Sequence, residues 1–60
     1  MKINELIKLL KKSGCYIERH GANHDIWFSP KTGNYFQVGR HKSQEIRVKT
    51  LESIKKSAGI

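Results

Sequence analysis

The chain has 60 residues, with twelve lysines and arginines against five acidic side chains and a formal charge of +7. At this length only about 60% of the unfolded surface is buried, so one thin-cored domain over residues 1–60 is expected, and a deep enclosing cofactor pocket is excluded. The charge selects polyanionic partners, nucleic acid ahead of anionic lipid, because there is neither a long apolar run nor a helix with a broad aromatic face.

Ile3, Leu6, Ile7 and Leu10 recur at i, i+3, i+4 and i+7 and predict an amphipathic helix over residues 3–13. Asn4 is expected to cap its start, Glu5 to favour the first turn, and Lys11 and Lys12 the last. Gly14 suits a left-handed position just past the end, from which Cys15 folds back on Leu10. Residues 16–19 have strand character, 20–23 hold the Gly and Asn of a tight turn, and 24–28 resume as strand. By period two, His24, Ile26 and Phe28 share one face; Asp25 and Trp27 take the other. Pro30 and Gly33 punctuate a second turn over 29–34, and 35–38 form a third strand. Residues 39–45 are polar and predict a loop. From about Arg47, the residues Val48, Leu51, Ile54 and Ala58 recur at helical spacing, with Gly59 as a stop. The order α-β-β-β-α predicts an α+β fold, a three-stranded antiparallel sheet with two helices on one face. Double-stranded RNA-binding domains share that order.

Cys15 is the only cysteine, so no internal disulfide forms, and the cytoplasm is the expected compartment. The N-terminus becomes amphipathic at once, without the continuous apolar stretch of a signal peptide. Cys15, His20, His24 and His41 match no zinc spacing and lack an accompanying carboxylate cluster, so neither metal nor cofactor is expected.

The stretch Arg19–Phe28 delivers His24 to the first position after the turn, with a ladder on one side and solvent on the other. In a small basic chain this is the place to seek proton transfer on a phosphate-bearing substrate. RNA supplies its own nucleophile, the 2′-hydroxyl. A neutral imidazole can take that proton and an imidazolium can protonate the leaving 5′-oxygen. Arg19, Arg40 and Lys42 are the candidates to stabilise the charge that develops. The plain alternative is a strand histidine bonded to neighbouring backbone, with no chemistry. His41 is expected as a loop residue contacting RNA, and His20 as a surface turn residue. Tyr16, Trp27 and Tyr35 offer faces for stacking on bases, although on so small a sheet aromatics mostly fill the core, and Trp27 is the foremost candidate of the three. The lysines of both helices read as solvated faces, and Cys15 as a small buried hydrophobe.

Several pieces resemble one family: Glu5-Leu6-Ile7-Lys8-Leu9-Leu10, the Ser13-Gly14 stop, Arg19, the His24 turn, Val38-Gly39-Arg40-His41-Lys42, Glu45-Ile46 and the run from Thr50 to Ile60. In order and spacing they are similar to the HicA toxins, small ribonucleases (mRNA interferases) of bacterial toxin–antitoxin pairs. The resemblance covers nearly the whole chain. It implies that His24 is the catalytic histidine and that mRNA is the substrate. It also implies silencing by a HicB-type antitoxin in a complex larger than a heterodimer. Asn23 would add a donor and an acceptor beside the histidine, completing an RNA-binding set of Arg19, Asn23, Arg40, His41 and Lys42. Ala22 stands where the family has Gly, Asn23 where it has Ser, Gly39 where Pro precedes Arg40-His41, and Lys49 where Gly often opens the second helix. Alanine takes positive φ only at a cost, so an altered turn is expected, and Gly39 should loosen its loop. The competing function is a non-catalytic double-stranded-RNA-binding module using the same basic face. A DNA-reading helix over 47–58 is disfavoured, because Leu51, Ile54 and Ala58 are needed for the core.

Overall fold

A computed structural model describes residues 1–60. Its element order is α1 (Ile3–Lys12), β1 (Tyr16–His20), β2 (His24–Ser29), β3 (Asn34–Gly39) and α2 (Val48–Ala58). The strands form one antiparallel sheet in the order β1-β2-β3. Trp27 pairs with Phe36, and Asp25 with Val38, so Trp27, Phe36 and Val38 stand on one face. They join Ile3, Leu6 and Leu10 of α1 and Ile54 and Ala58 of α2 in a single buried cluster, which places both helices on that face. No helix is long and apolar enough to cross a membrane.

The start of α1 differs from the expectation. Lys2, not Asn4, is the capping position, and the Glu5 carboxylate accepts the Lys2 N–H at 3.3 Å. The N–H groups of Ile3 and Asn4 donate to the carbonyls of Gln44 and Lys42, each at 3.0 Å. The loop before α2 therefore satisfies the free donors of the first turn, and no Asn4 side-chain cap forms. At the other end Gly14 has φ 90°, and the Cys15 N–H returns to the Leu10 carbonyl at 2.9 Å, burying the thiol.

The β1–β2 pairing slips between Ile17 and Arg19, a bulge that sets His20 opposite Asp25. His20 is thus the last residue of β1, outside the turn. Gly21 donates to the His24 carbonyl at 2.8 Å, and a Cβ at Gly21 would stand 2.6 Å from that oxygen. Close approach, not positive φ, requires glycine there. Neither Ala22 nor Asn23 has positive φ, so the cost expected from Ala22 does not arise.

Two apolar expectations are corrected. Trp27 is 1% exposed, filling the core where Trp can exclude most water, and offers no face to a base. Val48 is 69% exposed: α2 turns Ile54 and Ala58 inward, and its first residue lies beyond the sheet's cover. The sheet is tied to α2 by a buried polar contact, in which Ser29 Oγ donates to the Ala58 carbonyl at 2.9 Å. That carbonyl belongs to the last turn and has no helical donor. Ser29→Ala should cost about 1–3 kcal/mol, because the buried acceptor loses its partner. Urea denaturation followed by circular dichroism would read this as a lower midpoint; an unchanged midpoint would mean that the hydroxyl contributes nothing.

Candidate functional site at the hairpin exit

His24 opens β2 and its side chain is exposed. Its backbone is fixed from two directions: the carbonyl takes the Gly21 N–H, and the residue pairs with Gly39 of β3. A Cβ at Gly39 would lie 3.1 Å from Ile3 Cδ1 and 4.0 Å from His24 Cδ2. Glycine therefore leaves the space between α1 and the imidazole open. Gly39, expected to loosen the following loop, is held as the last residue of β3.

A groove of about 810 Å³ borders His24 and follows β3 to the start of α2. Its cations are Arg47 and Lys49, and Glu45 is its acid. Neither cation was singled out from sequence as a substrate contact. The signal was present in the charge pattern: the first turn of α2 holds no acidic residue, and Arg47 and Lys49 flank a helix start, which ordinarily prefers negative charge. Two cations beside the positive end of a helix dipole form a field suited to an anion.

The other candidates are dispersed around the imidazole. Arg19 pairs with Ile26 and, with Glu18 and Tyr35, borders a second hollow of about 430 Å³. Asn23 is exposed in the turn, and His41 and Lys42 are exposed in the loop before α2. Arg40 is engaged elsewhere: its Nε donates to Asp25 Oδ1 at 2.9 Å, and its terminal nitrogens donate to the carbonyls of Ala22 and Gly21. It therefore clasps the turn that presents His24.

Asp25 is the hub of that clasp. Its side chain is 15% exposed and also meets His20 Nδ1 at 2.7 Å. The Arg40 hydrogen bond first, then that of His20, holds its carboxyl below the ordinary aspartate range. Binding partners that favour the anion stabilise the fold above the unfolded-state pKa of about 3.9, and this contribution is lost as pH falls through the lower folded-state value. Asp25→Asn should lower the melting temperature at pH 7, and the gap to the parent should close as pH drops below about 4. A gap that stays constant down to pH 2 would show that the charge is irrelevant.

The match to known proteins is to a family. Residues 3–60 fit the model described as the HicA toxin of bacterial toxin–antitoxin, whereas no curated protein and no solved structure matches significantly. The fit spans nearly every residue of the fold, from the first turn of α1 to the chain's last residue, so the chain belongs to the HicA family and is a toxin of a toxin–antitoxin system.

Proposed function

We propose that the chain is an endoribonuclease, an mRNA interferase in which His24 is the general acid/base. The observation that carries this is an exposed imidazole, on a backbone held by the hairpin, at the rim of a groove whose cations are Arg47 and Lys49. The imidazole removes the 2′-hydroxyl proton, the 2′-oxygen attacks phosphorus, and the P–O5′ bond breaks. The imidazolium so formed gives its proton to the 5′-oxygen, which leaves as a hydroxyl, and a 2′,3′-cyclic phosphate remains. No redox step or metal-bound nucleophile is needed, because RNA supplies both the attacking oxygen and the leaving oxygen. Arg47 and Lys49 stabilise the charge on the pentacoordinate phosphorus, where oriented cations contribute most. Arg19, Asn23, His41 and Lys42 contact the flanking backbone, and Arg40 keeps the turn closed.

The antitoxin is of HicB type and silences the toxin by covering His24. An acidic surface would complement the groove and exclude substrate together. The reaction takes place in the cytoplasm, where mRNA is found.

The test is incubation of the purified chain with an unstructured RNA in excess EDTA, with end-group analysis of the fragments. The expected products carry 2′,3′-cyclic phosphate and 5′-hydroxyl ends and are absent with His24→Ala. Products that form equally with that variant would remove His24 from the chemistry. RNA binding without any scission by the parent would favour the non-catalytic binding module, for which the α-β-β-β-α order already speaks.

A further inference from the structure

The sheet face turned away from the helices carries an ordered array. Its first row crosses all three strands: Tyr16 lies opposite Phe28, and Phe28 opposite Tyr35. The Phe28 ring centroid is 5.7 Å from that of Tyr16 and 4.8 Å from that of Tyr35. The second row is Arg19, Ile26 and Gln37; the next pairing, His24 opposite Gly39, lies at the end of the sheet beside Ile3 of α1. His24 stands four residues before Phe28 on β2, at about 3.3 Å each, so the row leads along the strand to the edge where the imidazole meets its groove.

Tyr35 is 60% exposed and Tyr16 47%. Rings of this size ordinarily bury most of their surface, and here the core takes Trp27 and Phe36 instead. Two exposed tyrosines flanking the half-buried Phe28 make a strip of the kind that marks a binding surface. Beside it, a hollow of about 430 Å³ lined by Glu18, Arg19, Ile26 and Tyr35 offers a planar base an aromatic wall, a guanidinium and a carboxylate that can accept from its amino groups.

We infer that this row is a base-stacking platform for single-stranded RNA, which holds the strand so that its backbone passes Arg19 and reaches His24. Charge complementarity names the occupant: the chain carries +7, and Arg19 lies between the rings and the imidazole. A duplex is the wrong shape, because its bases are stacked on one another inside the helix and present only edges and backbone. Splayed bases of a single strand present π-faces, and stacking tolerates any sequence. The inference rests on the nuclease reading only for where scission falls; binding is measured separately.

The experiment is fluorescence anisotropy with a labelled 2′-O-methyl oligoribonucleotide, which lacks a free 2′-hydroxyl and cannot be cut. It is used alone or annealed to its complement, with the parent, Tyr35→Ala, Tyr16→Ala and the corresponding phenylalanine variants. The single strand should bind more tightly than the duplex. Each alanine variant should weaken it by on the order of 10-fold or more, and each phenylalanine variant should restore it, since stacking needs the ring and not the hydroxyl. Alanine variants that bind like the parent, or a duplex bound as tightly as the strand, would overturn the platform. So would alanine variants that dissociate a self-associated species in sedimentation with RNA binding unchanged, which would assign the face to a second copy. A chain that never cuts RNA but loses single-strand binding with Tyr35→Ala would refute the nuclease reading and leave the platform standing.

Discussion

His24→Ala is expected to slow RNA scission by about 10²- to 10⁴-fold, the usual worth of a positioned proton-transfer group. The loss should fall on kcat, because the imidazole takes part only while the proton moves, and substrate affinity should change little. The substitution is confined to an exposed side chain whose backbone contacts remain, so melting temperature should stay within a few degrees. His24→Gln, which keeps hydrogen bonding but cannot shuttle a proton at neutral pH, should be about as slow as the alanine variant. A glutamine variant with near-parental rates would assign His24 to positioning. Expression in the absence of antitoxin gives the physiological readout: the parent should arrest growth, and the alanine variant should not.

Trp27→Ala is expected to leave the isolated chain largely unfolded. Removing a buried tryptophan costs about 3–5 kcal/mol, and a core below 70–80 residues rarely supplies more than about 3–5 kcal/mol in total. Trp27 is the largest fully buried side chain and stands in the central strand of the sheet, between residues from both helices in the buried cluster. Little can move in to fill the space, because interiors of this size have few spare side chains. Circular dichroism should show loss of cooperative melting; a sharp transition near the parent's would refute the argument. Trp27→Phe should retain a folded state. Any ligand that binds only the folded chain should partly rescue Trp27→Ala by mass action, and the antitoxin is the natural one to add. That rescue separates loss of fold from loss of chemistry, since it would do nothing for the His24→Ala rate.

Most of the architecture was legible in short-range patterns. Leu6 and Leu10 at helical spacing, the Gly14 stop, and the alternation that separates His24 from Trp27 all follow from periodicities of 3.6 and 2. What escaped depends on pairings distant in sequence. Both faces of β2 carry an aromatic ring, and Ile26 makes the Phe28 face the more apolar, so period two could separate Trp27 from Phe28 without saying that the helices cover Trp27. The bulge between Ile17 and Arg19 leaves no mark on the hydrophobic pattern, yet it sets His20 against Asp25. Asn4 was the better capping residue by propensity, but carbonyls from Lys42 and Gln44 reached the helix start first. At the candidate site, the position of His24 just after the turn was legible because the turn is local. Arg40 was not, because its contacts with Asp25 and the turn span fifteen or more residues.

The clasp of Arg40 on the β1–β2 turn has a consequence for how the molecule breathes. A tight turn on its own frays within microseconds or faster, but this one is fastened by a side chain rooted where β3 gives way to the α2 approach. That same approach segment holds the first amides of α1. The hairpin tip, the connecting segment and the N-terminal helix thus make one mechanical loop closed on itself, and peeling any part strains the others. His24 sits on that closed loop, so its backbone can shift only if the Arg40 contacts or the α1 start shift with it.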